Sequence, residues 1–214
     1  MATLVLVRHG QASWGSADYD RLSELGIRQS VSTGRALGEL APPGLVLSGA
    51  QLRHRATAEL AAEAAGWQTP VRVDTGWNEF GHRQVMAAYD VPPPEEGSEA
   101  FGGWLLAALS RWVEGGSDSD YDEPFAGFTS RVDVAVRRLR DSLASRETAV
   151  VFTSLGPICW TVAALLGGQP SVWLHLTSSL VNASVTRISW DVRGMRLATF
   201  NEHTHLGPEM LTFR

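Results

Sequence analysis

Apolar positions along this chain follow two spacings, and the switches between them outline its elements. Residues 3–7 (TLVLV) form a continuous apolar, β-branched run that predicts a buried strand, ended by Arg8-His9-Gly10. A polar loop rich in Gly, Ser and Asp follows over about residues 11–21. From about residue 23 to 40 the spacing of Leu25, Val31, Leu37 and Leu40 predicts an amphipathic helix, with Ser23 as N-cap and Pro42-Pro43-Gly44 as its stop. Residues 45–47 predict a second buried strand, and the alanine-rich stretch 51–65 a helix closed by Gly66. Residues 71–73 predict a third strand, which leads into Trp77-Asn78-Glu79-Phe80-Gly81.

The middle of the chain has the weakest pattern. Three prolines at 92–94 and the tract GGSDSDYD at 115–122 bracket a helical segment, 101–113, and predict a small helical and loop cap around residues 84–128. A helix over about 125–145 then feeds a strand at 149–153, and Gly156-Pro157 opens a helix to residue 166. Strands at 184–190 and 197–200, joined by a turn at 191–194, complete the pattern. This alternation predicts an α/β fold: a three-layer α/β/α sandwich with a mostly parallel central sheet and at least one antiparallel strand near the C-terminus. One domain over 1–214 is expected. Ligands of such sheets gather at the carboxyl ends of the strands, which directs attention to Arg8 and His9, Ser48, Glu79 and Ser154.

Composition narrows the chemistry. With 44% hydrophobic and 19% charged residues the chain can bury a core and is not intrinsically disordered. All 18 basic residues are arginine, which removes the P-loop lysine, Schiff-base chemistry and any lysine general base. Cys159 is the only cysteine, so intrachain disulfides and Cys-rich metal sites are excluded. No G-x-G occurs, hence no dinucleotide fingerprint, and the net charge of −5 carries no basic stripe for nucleic acid. No apolar run approaches the length of a membrane span, and the chain opens on a strand-like segment rather than a signal peptide. A cytoplasmic protein without membrane or nucleic-acid partners is expected. What is left is chemistry built on His, Arg, Asp/Glu and Ser.

Arg8-His9-Gly10 stands directly after the first strand, and this composition would produce about 0.05 such triplets by chance. A neutral imidazole beside a planar guanidinium fork points to phosphoryl chemistry. V-R-H-G followed by Leu22-Ser23-Glu24-Leu25-Gly26 and Gln29 resembles the histidine phosphatase superfamily, also called the phosphoglycerate mutase-like family. Ser48, Arg53-His54-Arg55-Ala56-Thr57-Ala58, Glu79, Asn182-Ala183-Ser184-Val185-Thr186 and Asn201 with His205-Leu206 extend the likeness over nearly the whole chain, the cap excepted.

The resemblance implies a phosphomonoester hydrolase, like a cofactor-independent histidine acid phosphatase, acting on a phosphorylated small molecule. His9 would be the nucleophile and form a phosphohistidine. Arg8 and Arg53 would bind the phosphoryl group, and Glu79 would be the proton donor, its pKa raised by burial beside Trp77 and Phe80. The sequence departs from the family at the fourth strand, where Thr153-Ser154-Leu155-Gly156 puts Ser154 on the family's second histidine and Leu155 on its first glycine. A lower rate is expected, partly offset by the Ser154 hydroxyl as a phosphate ligand and by the N–H groups opening the next helix. A catalytically weak relative that binds phosphorylated ligands is one alternative. A phosphoglycerate mutase-type phosphotransferase is another, ranked lower because Gly15 stands where the mutase branch has asparagine. A metal-dependent hydrolase is a distant third: His203 and His205 would share a face of an extended strand and could join His82, but no ligand spacing supports a metal site. His175 is expected to be a packed structural residue, and the tryptophans to be core and pocket walls. Specificity is expected to lie in residues 84–128 and 11–21.

Overall fold

The computed structural model describes residues 1–13, 20–95, 97–144 and 147–213. Within them one sheet of six strands has the order β3-β2-β4-β1-β5-β6. β1 (Ala2–Arg8), β2 (Leu45–Ser48), β3 (Val71–Val73) and β4 (Thr148–Thr153) are parallel, while β5 (Val185–Asp191) runs antiparallel to both β1 and β6 (Gly194–Glu202). β1 and β4 pair from Thr3↔Thr148 to Arg8↔Thr153, which aligns the ends of the two strands beneath the site.

The strand period of two sorts the core into two halves. Leu4, Leu6 and Val151 face one side, with Phe128, Val132 and Ile158. Val5, Val7, Val150 and Phe152 face the other, against Leu37, Ala58 and Ala61. The second side is covered by α1 (Glu24–Gly38) and α2 (Leu52–Ala64), the first by α5 (Phe125–Ser142), α6 (Leu155–Leu165) and α7 (Pro170–Thr177). A strand buried on both faces needs apolar residues throughout, which explains the unbroken TLVLV.

The segment 84–128 contributes α3 (His82–Ala87, beginning just before it), α4 (Glu99–Glu114) and a short 3-10 turn. An aromatic cluster fastens it: the Trp112 ring lies 4.8 Å from Phe80, 5.0 Å from Phe125 and 5.8 Å from Trp173. Trp77, Trp112 and Trp173 are fully buried, as walls of this core.

Most element ends fall within one to three residues of expectation, and Ser23 caps α1 by accepting from Gly26 N at 3.0 Å. α3 and α7 are additions. Each spans at most eight residues, too few turns for a helical period to stand out. His175 lies on the exposed side of α7, opposite the buried Trp173, so it is a surface residue and not a packed one. β6 ends at Glu202, so His203 and His205 do not sit on an extended strand. His203 Nδ1 lies 2.5 Å from Asn201 O, and His205 Nε2 contacts Thr33 Oγ1 and Ala183 O. Among the described residues no three metal-ligating side chains come together. No helix among them is long and apolar enough to cross a membrane. Most of the loop expected at 11–21, residues 14–19, lies outside the described residues.

Candidate active site

The chain leaves the sheet at His9 with its backbone pinned on both sides. His9 N donates to Thr153 O at 2.9 Å, and His9 O accepts from Ala183 N at 3.1 Å and Asn182 Nδ2 at 3.3 Å. The ring Nδ1 lies 2.7 Å from Gly10 O. A carbonyl can only accept, so the proton sits on Nδ1 and the lone pair on Nε2. Arg53 Nε donates to that Nε2 at 3.2 Å. Burial, then the charges of Arg53, His54 and Arg8, hold the His9 pKa well below the ordinary histidine value, so the ring is neutral. A Cβ on Gly10 would stand 2.4 Å from Gly26 O, so the close passage after His9 admits only glycine.

Arg8 is buried, and its guanidinium donates to Leu180 O and, at 3.2 Å, to Phe213 O. Arg53 occupies the first turn of α2. Its Nη1 pairs with Asp20 Oδ1 at 2.6 Å, while Asp20 Oδ2 accepts from Leu52 N at 2.8 Å. Asp20 therefore caps α2 and holds its arginine together, a role the sequence reading missed because the two are 33 positions apart.

Glu79 lies on a loop clamped from several directions. Arg131 Nη1 donates to Gly76 O and Asn78 O at 3.1 and 2.9 Å, and its fork binds both Glu123 oxygens at 2.7 and 2.8 Å. Thr153 Oγ1 donates to Trp77 O at 2.5 Å, and Asn78 Oδ1 accepts from Ala50 N at 2.7 Å. The Glu79 carboxylate accepts from Phe80 N at 3.1 Å and from Gly156 N at 3.2 Å. Burial raises its pKa, against the opposing pull of those N–H groups and of Arg53 and Arg8. The start of α6 is thus occupied by Glu79, and a Cβ on Gly156 would stand 2.1 Å from Glu79 Oε1.

Arg8, His9, Arg53 and Glu79 meet in one cavity of about 410 Å³ at the carboxyl ends of the strands. His82, the first residue of α3, also lines it. Its pKa is lowered to about 4 by burial and by Arg53 and Arg83. Sequence reasoning had weighed His82 only as a metal ligand. Of the strand-end residues singled out in the sequence, Ser48 and Ser154 do not line the cavity; Ser48 is fully buried at the end of β2. Ser154 had been expected as a phosphate ligand. It is fully buried with Oγ 2.5 Å from His54 Nε2, and Leu155 takes its place at the wall. In a hollow of about 440 Å³ beside Arg72, Asp74 and Arg138, no histidine or cysteine is among the described lining residues, Ser142 Oγ donates to Leu139 O, and the Arg138–Asp74 pair is closed at 2.5 Å.

Residues 4–203 match the histidine phosphatase superfamily (branch 1), and the chain belongs to that family. A 2,3-bisphosphoglycerate-dependent phosphoglycerate mutase from Nitrobacter hamburgensis is 33% identical over 141 residues, covering 52% of this chain and 66% of the mutase, just under two thirds of its length. Among solved structures, the mycobacterial glucosyl-3-phosphoglycerate phosphatase is 26% identical with a TM-score of 0.69, over 94% of this chain and 99% of its own. The phosphoglycerate mutase of Bacillus anthracis shares the fold at 18% identity and a TM-score of 0.66, over 95% of this chain and 94% of its own.

Proposed function

We propose that this chain is a phosphatase: it hydrolyses a phosphorylated small molecule through a phosphohistidine on His9, using no metal or organic cofactor. The observation that carries this reading is the His9 ring, whose Nδ1–H is tied to Gly10 O and whose Nε2 lone pair opens toward Arg53 in the cavity that also holds Glu79. Nε2 attacks phosphorus, the P–O ester bond breaks, and Glu79 passes its proton to the leaving alkoxide. Water then attacks the phosphohistidine, Glu79 takes a proton from it, the P–N bond breaks and phosphate leaves. Arg8 and Arg53 neutralise the charge on the non-bridging oxygens, Arg53 exchanging His9 Nε2 for phosphate.

In this reading Ser154 takes the sequence place of the family's second histidine, and His54 brings an imidazole to the same neighbourhood from α2. The Ser154–His54 pair supports the floor of the site from below, and the rate is lower than a second pocket histidine would allow. The mutase relative favours phosphoryl transfer between phosphoglycerates as a second reading. A panel of phosphomonoesters assayed with and without EDTA tests the proposal. Phosphate release that survives chelation is expected. Activity lost to EDTA and restored by metal contradicts the proposed mechanism, and transfer without net release favours the mutase reading. Intact phosphate or vanadate binding on an otherwise inert protein points to a phospholigand-binding relative.

A further inference from the structure

The lining of the cavity falls into two chemical groups. Four of its ionisable groups, Arg8, His9, Arg53 and Glu79, come from strand ends or the segments that follow them, and His82 opens α3. The rest of the wall is mostly apolar: α4 presents Phe101, Leu105 and Leu109 at a spacing of four, on one helix face, while Met86, Leu155 and Leu174 come from α3, α6 and α7. Two hydroxyls on that wall donate to the backbone beside them, Thr177 Oγ1 to Leu174 O at 2.7 Å and Ser178 Oγ to His175 O at 2.8 Å. Among the described residues that line the cavity, both arginines lie at the phosphate end, where Arg8 is held to Leu180 and Phe213 carbonyls and Arg53 to Asp20.

We infer that the preferred substrates are phosphomonoesters of apolar alcohols, with a short branched alkyl or single aromatic ring seated against α4. The inference rests on the phosphatase reading and supplies its substrate class. A second carboxylate, as in a phosphoglycerate, would have to give up its water against leucine and phenylalanine with no cation beyond Arg8 and Arg53 among the described lining residues, which is strongly unfavourable. An alkyl group gains on every methylene buried. The volume of about 410 Å³ lies in the lower range of small-molecule pockets and suits an alcohol of that size. Gly102 marks where specificity can be altered: it lines the cavity from within α4, and a Cβ added there meets nothing within 4 Å. A larger side chain at 102 would project into the space assigned to the alcohol.

Calorimetric binding of non-hydrolysable phosphonates to the full chain separates this inference from the reading beneath it. Inorganic phosphate, methyl-, propyl-, pentyl- and phenylphosphonate, and a propylphosphonate ending in a carboxylate, form the series. Affinity is expected to rise about threefold to fourfold per methylene, with the carboxylate erasing the gain. Gly102→Phe should reverse the order, so that methylphosphonate binds more tightly than pentylphosphonate. Equal affinities along the series in the native chain, or tighter binding of the carboxylated member, overturn the inference while the phosphate site stands. Failure of every member, inorganic phosphate included, overturns the phosphate site and the inference together.

Discussion

His54 Nε2 lies 2.5 Å from Ser154 Oγ, and both side chains are fully buried. The contact joins α2 to the residue that opens α6, beneath His9, whose ring is 5.6 Å from that of His54. The other nitrogen, His54 Nδ1, has no hydrogen-bond partner among the described residues. Burial and Arg53 keep this imidazole neutral. Ser154→Ala would leave both ring nitrogens buried without a bond, at a cost of about 1–3 kcal/mol. Chemical denaturation of this variant checks the figure, and an unchanged stability would mean that the contact contributes nothing.

The same contact predicts how a histidine can be introduced at 154. Ser154→His alone places a second ring where His54 already stands and should destabilise by about 1–3 kcal/mol through overpacking. In a His54→Ala background the new ring has room, and with Leu155→Gly it also has a path to the cavity. That triple variant should gain up to about 10²–10³ in kcat/KM. A single Ser154→His variant that is both stable and faster would contradict the steric argument.

A third expectation concerns acid stability. His82 has a folded pKa of about 4, below the ordinary value of 6.5, so the unfolded chain binds the extra proton between those two pH values. Stability is therefore lost as pH falls through that window, by at most about 3 kcal/mol for this residue, less the screening at its exposed edge. His9 and His54 act in the same direction. Glu79, whose folded pKa is raised, acts oppositely and loses stability as pH rises through its own window. Thermal melts from pH 7 to 4 should show a falling Tm, with a shallower fall in His82→Gln. Parallel slopes in the two proteins would refute the His82 contribution.

Replacing Glu79 by Gln removes the proposed donor and keeps the shape. Hydrolysis of alkyl phosphates, whose leaving alkoxide needs a proton, should fall about 10²–10⁴-fold, and p-nitrophenyl phosphate far less. Equal losses on both would assign Glu79 to binding or structure.

Arg131 is a positioning residue for that loop. It donates to the Gly76 and Asn78 carbonyls while its fork binds Glu123, and a lysine cannot reproduce this geometry. Arg131→Lys should lower kcat more on alkyl than on p-nitrophenyl phosphate, following Glu79→Gln, with KM little changed. A loss confined to thermal stability would leave Arg131 a purely structural role.

The sheet was legible because its inner strands are buried on both faces, so that TLVLV and AVVFT stand out as apolar runs. Arg8, His9, Arg53 and Glu79 could be picked out as candidates because each lies at a strand end or within six positions after one, and all four line one cavity. The His54–Ser154 contact and the Asp20 cap were not: each joins residues far apart in sequence through side-chain geometry that no periodicity encodes. His82 was hidden for a related reason. Its place at the cavity depends on α3, a helix of six residues whose formation is decided by packing and not by pattern.

The most direct test of the central claim is to trap the phosphoenzyme. Brief exposure of the native chain to a ³²P-labelled phosphomonoester, quenched in alkali, should yield label on His9 that is stable to base and released by acid. His9→Ala should carry none while still binding inorganic phosphate. Label recovered on Ser154 or any other serine, or undiminished in His9→Ala, would contradict the account.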